Sequence, residues 1–163
     1  MRSRAMESVS WVALTLVALA PACAPVGAPS WHGKPVVSAE GVQVGVPRQT
    51  CTQNVDPDFA GEDLVEATLE IEVRNATRDA VLVRRDQFRL VAPDGTAVKP
   101  LTWRSADPLT IAAGAEAAFE LRFMNRGGLG CGAELALDAG AGVVVGQAPI
   151  HLAALRFVPH PPL

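Results

Sequence analysis

The residues of this chain that could do chemistry are few, and the densest group is an acidic loop. Asp56, Asp58, Glu62 and Asp63 lie close together, separated by Pro57, Phe59, Ala60 and Gly61. Carboxylate oxygens converging from one loop suit a hard cation such as calcium. Asp56, Asp58 and Gly61 fit the first, third and sixth places of a calcium loop. Ala60 and Ala67 stand where the fifth ligand and the closing glutamate belong. A solvated loop is therefore the expectation, with these four acids as a weak candidate calcium set. His32, His151 and His160 are scattered, and none sits at ligand spacing from Cys, His or Glu, so zinc has no support. Blue copper also lacks its cluster, because His151 is remote from Cys131. The run Gly127-Gly128-Leu129-Gly130-Cys131-Gly132 is not a nucleophile elbow, since Leu129 and Ala133 occupy the required glycine places. Ala133 breaks the dinucleotide pattern too, and no Lys-Ser or Lys-Thr follows. It reads as a tight loop that carries Cys131. No catalytic residue is assigned, no cofactor is expected, and the chain reads as non-enzymatic. An enzyme would need Asp56, Asp58 and His151 gathered in one cleft.

The cysteines say more. Arg2 and Arg4 precede an apolar run at 11–20 that ends in Pro21-Ala22-Cys23. A membrane-spanning helix needs roughly 20 apolar residues, and this run is shorter. Its length and flanks are those of a signal peptide, so 1–22 are read as an export signal outside the fold. Leu19-Ala20-Pro21-Ala22-Cys23 resembles the lipobox of bacterial lipoproteins, in which the cysteine becomes the lipid-modified first residue. It departs from that pattern, with Leu19 one position early and Pro21 where a small residue is preferred. The competing reading is ordinary cleavage after Ala20-Pro21-Ala22, leaving Cys23 unmodified. Lipidation at Cys23 is favoured, because a third free thiol in an oxidising compartment invites mispairing. If the lipid takes Cys23, then Cys51 and Cys131 remain as a pair in a disulfide-permissive setting. Their bridge would close a loop of about 80 residues, worth roughly 4–5 kcal/mol in the chain-entropy model. The alternative is two separate buried thiols.

Around these residues the chain divides into a signal (1–22), a Pro-rich tether (23–35), a β-sandwich domain (36–158) and a short tail (159–163). The domain length suits a single core. The 14 Lys+Arg against 17 Asp+Glu are mixed along the chain, for a net charge of −3. Nucleic-acid binders instead cluster their basic residues on one face, so no nucleic acid is expected as a partner. Strand signals begin at Val36. Val42, Val44 and Val46 alternate, and at 64–75 apolar Val65, Ala67, Leu69, Ile71 and Val73 alternate with Glu66, Thr68, Glu70, Glu72 and Arg74. That is a half-buried antiparallel strand with an acidic solvent face. Asn75-Ala76-Thr77 satisfies a glycosylation sequon and reads better as a strand-end turn. Short strands follow at 81–85 and 88–91, then an Ala92-Pro93-Asp94-Gly95 turn, then strands at 117–123, 135–137, 143–145 and 150–157. In the last of these the alternation changes phase between Leu152 and Leu155, which implies a bulge. Roughly seven to nine short strands without 3.6-residue periodicity predict an all-β, antiparallel, Ig-like sandwich.

Residues 62–158 also resemble the small Ig-like domains of bacterial lipoproteins, a group known mainly as domains of unknown function. The shared pattern is Val73-Arg74-Asn75 at a strand end, Phe88-Arg89-Leu90 followed by Asp94-Gly95, and Ile111-Ala112-Ala113-Gly114 before Phe119 to Phe123. The Cys51–Cys131 pair and the glycine-rich loop depart from it. The resemblance implies an accessory or binding module of the cell envelope, facing the periplasm or exterior. Its partners would be the membrane, through a lipid on Cys23, and an unidentified envelope protein. The alternative is a soluble periplasmic or secreted domain that binds a small ligand or carbohydrate.

Overall fold

The computed structural model describes residues 35–55, 63–101, 108–127 and 129–159. Twelve strands and one short 3₁₀ turn make up the described elements. The first layer is a four-stranded antiparallel sheet in the order β1 (Val36–Ala39), β2 (Val42–Val55), β3 (Asp63–Asn75), β8 (Glu116–Arg126). The expected alternation of β3 is realised: Val65, Ala67, Leu69, Ile71 and Val73 are buried, while the residues between them face outward. In β8, Phe119, Leu121 and Phe123 point the same way.

One feature of this layer corrects the sequence reading. The valine alternation beginning near Val37 is two strands, joined at Glu40-Gly41. Both turn residues have positive φ, 49° and 81°, the geometry that lets a two-residue hairpin match strand twist. A bulge then follows in β2. Val46 and Pro47 together face the single residue Ile71, between the Gly45–Glu72 and Arg48–Glu70 pairs. One extra residue inverts the side-chain parity of a strand. Up to the bulge the even positions Val42, Val44 and Val46 face the core; after it the odd position Cys51 does.

The second layer is built from two half-sheets that share four lanes. One half has the order β11 (Ala148–Pro149), β10 (Val143–Val145), β4 (Val81–Val83), β7 (Leu109–Ile111). The other has β12 (Leu155–Phe157), β9 (Leu135–Asp138), β5 (Arg89–Val91), β6 (Ala97–Val98). Each lane is one stretch of chain interrupted midway, so the twelve segments amount to eight lanes. Between β4 and β5 the interruption is the turn at Arg85–Gln87. Between β9 and β10 it is the loop 139–142, which lies against that turn. The strand expected over 150–157 is realised only at Leu155–Phe157, and the phase change between Leu152 and Leu155 falls in the break between β11 and β12 rather than at a bulge.

The matched interruptions explain Gly142. Its N–H donates to Ala139 O (2.8 Å) and its carbonyl accepts from Arg84 N (2.7 Å). A Cβ there would lie 2.8 Å from Ala139 O and 2.9 Å from Arg84 O. Both obstacles are backbone and cannot swing aside. Gly142→Ala is therefore expected to lower stability by about 1–3 kcal/mol, the range for overpacking a tight site, as read from a urea titration. Gly95, where a Cβ would meet nothing, supplies the contrast of a glycine needed only for its φ of 88°.

Between the layers lies one apolar core. Phe88 of the second layer meets Phe119 of the first edge-to-face, with ring centroids 6.1 Å apart. After β6 the chain also reaches across to the first layer: Pro100 bridges to Phe123, and Leu101 N donates to Arg122 O (2.7 Å). This lane thus touches both sheets and closes the β8 side of the sandwich. The Asp94 turn beside it is held by Thr96, whose N–H and hydroxyl both donate to the Asp94 carboxylate (2.8 and 3.0 Å). The backbone N–H and then the hydroxyl of Thr96 hold the Asp94 carboxyl below the usual carboxylate range. A depressed folded-state pKa contributes stability above the unfolded value, and loses it as pH falls through the folded value. Asp94→Asn is accordingly expected to lower the neutral plateau of the melting-temperature profile slightly and to flatten its acid limb below about pH 4, the two proteins converging at low pH. Thermal melts between pH 2 and 7 check this.

Candidate functional site

Two regions carry polar groups arranged by the fold rather than by sequence proximity. The first is the outer face of β2–β3–β8. Strand register sets Arg48, Glu70 and Glu120 in one row across the three strands. Thr50, Thr68 and Arg122 form the next row, and Thr52, Glu66 and Met124 the one after. Because Thr50, Thr68 and Ala118 are short, the face dips into a shallow groove of about 440 Å³, lined also by Arg48, Glu70, Phe119 and Glu120. Arginines offset much of the negative charge. Arg48 lies 3.5 Å from Glu70, Arg74 donates to Glu116 at 2.9 Å, and Arg122 donates to Glu66. The hydrogen bond and charge of Glu66 raise the Arg122 pKa above its ordinary value. Glu70 and Glu120 sit directly opposite each other, a like-charge pairing that is unfavourable on a sheet. The sequence showed the acidic face of β3 but not this juxtaposition, because cross-strand register is a tertiary property.

The second region is the open side of β2. Beyond the bulge, Gln49, Cys51 and Gln53 share the inward parity, and they reach two other segments of the chain. Gln49 Nε2 donates to Val158 O (3.0 Å), after the last strand. Gln53 Oε1 accepts from Cys131 N (3.3 Å). Cys51 Sγ lies 2.09 Å from Cys131 Sγ, bonding distance, with the Cα atoms 5.6 Å apart. Leu129, buried in the core, anchors the loop that brings Cys131 there. These contacts lace the open side of the sandwich shut.

The remaining sequence candidates are placed as follows. Of the acidic loop, Asp56, Asp58 and Glu62 lie outside the described residues. Asp63 begins β3, and its carboxylate accepts from Gln53 Nε2. Among the described residues no three His, Cys, Asp or Glu side chains gather as a metal site. His151 is exposed in the break between β11 and β12. His32, His160, the signal and Cys23 are outside the described residues. Among the described residues no helix is long and apolar enough to cross a membrane.

The residue that sequence reasoning undervalued is Asn75. It is fully buried, and all its polar capacity is used. Its Nδ2 donates to Asp79 O (2.8 Å), Ile111 O (3.1 Å) and Ala112 O (3.0 Å). Its Oδ1 accepts from the Thr77 N–H (2.9 Å) and hydroxyl (2.7 Å). The strand-end turn is therefore also a clamp between the end of β3 and the β7–β8 turn.

No family model matches this chain, and no curated protein matches it in sequence. Solved structures do. A "putative lipoprotein (ycdA)" of Bacillus subtilis superposes with a TM-score of 0.56 at 18% identity, over 76% of this chain. The match covers 38% of that protein, so this chain spans well under half its length. The likeness is one of fold. A functionally unknown protein of Listeria monocytogenes gives 0.49 at 15% identity, covering 77% of this chain and 82% of its own. The secreted protein MPT63 of Mycobacterium tuberculosis gives 0.40 at 19% identity, covering 72% and 93%. The chain is thus an all-β, antiparallel sandwich of a kind found in a protein described as a lipoprotein.

Proposed function

We propose that this chain is a non-enzymatic, exported envelope lipoprotein, anchored through Cys23, whose sandwich binds or supports another envelope component. The observation that carries the reading is the Cys51–Cys131 pair at bonding distance. Such bonds belong to oxidising compartments, which agrees with the export signal at 1–22, and the pairing leaves Cys23 to a separate fate. Strand order supports the Ig-like reading. β2, β3 and β8 share one sheet, and the lanes β4/β5, β9/β10 and β11/β12 share the other, as the A, B, E and C, F, G strands do in that fold. The fifth lane departs from it by pairing with β4 and β5 rather than with β8, apart from the Pro100–Phe123 bridge. A soluble small-ligand or carbohydrate binder would want an aromatic-lined concavity. The groove on the outer face offers Phe119 alone, 9% exposed, so its chemistry favours the anchored module.

Intact mass of the processed protein from its native host tests the reading. The expected result is a chain beginning at Cys23 that carries a diacylglyceryl or triacyl addition, with two thiols fewer before reduction than after. A lipid-free chain would overturn the anchor and favour the soluble alternative.

A further inference from the structure

We infer that the open edge of β2 is a self-pairing surface, taking the same edge of a second copy of this chain in antiparallel register. β1 covers β2 only from Val42 to Gly45, with Pro35 O accepting from Val46 N as the last contact. The bulge at Val46 and Pro47 ends that cover. From Arg48 to Val55, β2 pairs with β3 on one side, and among the described residues no backbone group pairs with it on the other. Exposed edges are normally guarded by proline, inward charges or a covering loop, because their unpaired amides and carbonyls recruit another strand. Past Pro47 this edge has no proline, and its one charge, Arg48, sits at the end of the stretch. The lacing by Gln49, Cys51 and Gln53 closes the core beneath the edge through side chains and leaves the backbone row without a partner among the described residues.

The side chains decide which strand fits. In an antiparallel pair, residues directly opposite share a face, so a two-fold axis through Thr52 keeps parity. It sets Thr52 against Thr52 and Thr50 against Asn54 on the outer face. On the inner face it sets Cys51 against Gln53 and Gln49 against Val55. Every pair is uncharged, so the edge complements itself without like-charge conflict. Val55, 66% exposed in the single chain, gains a neighbour. The two first layers then form one continuous sheet.

The test is sedimentation of the full processed chain in mild detergent, over a range of protein concentration. Wild type is expected to dimerise reversibly, with amide exchange at 48–55 slowing as the dimer forms. Thr52→Lys sets two lysines face to face across the axis and is expected to weaken the dimer at least tenfold. Within one chain the new lysine lies opposite Glu66, so the fold tolerates it, and a far-UV spectrum matching wild type confirms this. Mixing Thr52→Lys with Thr52→Glu chains is expected to restore a heterodimer. Three results would overturn the proposal. One is a wild type monomeric at every concentration, and another is a dimer that Thr52→Lys leaves unchanged. The third is a monomer in which those 48–55 amides that do not bond β3 are already protected, which would mean the chain covers its own edge.

Discussion

Asn75→Ala is expected to destabilise the domain by about 3–4 kcal/mol. Stranding a buried hydrogen-bond partner costs about 1–3 kcal/mol per group, and the truncation strands several at once. Ile111 O and Ala112 O lose their shared donor, and the Thr77 N–H loses its acceptor. Water entering the cavity would recover part of this, which holds the total below a plain sum. Asn75→Asp should be at least as damaging, since it turns an oxygen toward three carbonyls that now receive N–H groups. Asn54→Ala, at an exposed position on the same sheet, should change stability by no more than about 0.5 kcal/mol. Urea denaturation of the three variants beside wild type checks the ranking. A loss below about 1 kcal/mol for Asn75→Ala would show that the clamp is dispensable.

The second large effect concerns the disulfide. Removing it by the double change Cys51→Ala and Cys131→Ala is expected to cost about 3–5 kcal/mol. The ring it closes spans 80 residues and so includes β3 to β8, which means nearly every lane sits inside or beside it. Part of the cost is unfolded-state entropy. Another part is local, because release of Cys131 frees the loop that Leu129 plugs into the core and withdraws the Cys131 N–H from Gln53. The prediction has a clear signature. Wild type in reductant should melt like the double variant, whereas reductant should leave the double variant unchanged. Thermal melts of both proteins with and without dithiothreitol provide the four curves. If wild type and variant melt together without reductant, the bond contributes nothing to the folded state.

Fold class was legible because its signal is local. Alternation at 65–73 and 119–123 reports burial of one sheet face, and each element carries that information within its own few residues. The turns at Asp94-Gly95 and Asn75 were legible for a similar reason, since short polar side chains and glycine mark where the chain reverses. The hairpin at Glu40-Gly41 was missed because Glu40 is not a turn-forming type, and its φ of 49° is imposed by the pairing of β1 with β2. The division of four lanes into half-sheets was missed as well. The sequence separated 81–85 from 88–91 and 135–137 from 143–145, and showed the phase change before Leu155, but not that these segments line up as interrupted lanes. That alignment needs Gly142 to be set against Arg84, residues 58 positions apart whose proximity no periodicity encodes.

What the sequence determined alone is layer type, with the expectation of export beside it. A short apolar run ending at Cys23 sets the reading of export, the two remaining cysteines supply a candidate pair, and alternating strands demand two packed sheets. Those conclusions depend on residue type and short-range spacing. Tertiary structure decided which residues meet. The bulge at Val46 and Pro47 turned Cys51 inward toward Cys131. Strand register set Glu70 against Glu120 and, among the described residues, left the edge from Arg48 to Val55 without a backbone partner. A one-residue change in the bulge would move the β2 side chains beyond it, Cys51 among them, to the opposite face. Such a shift leaves composition almost untouched, which is why these features had to be seen in three dimensions.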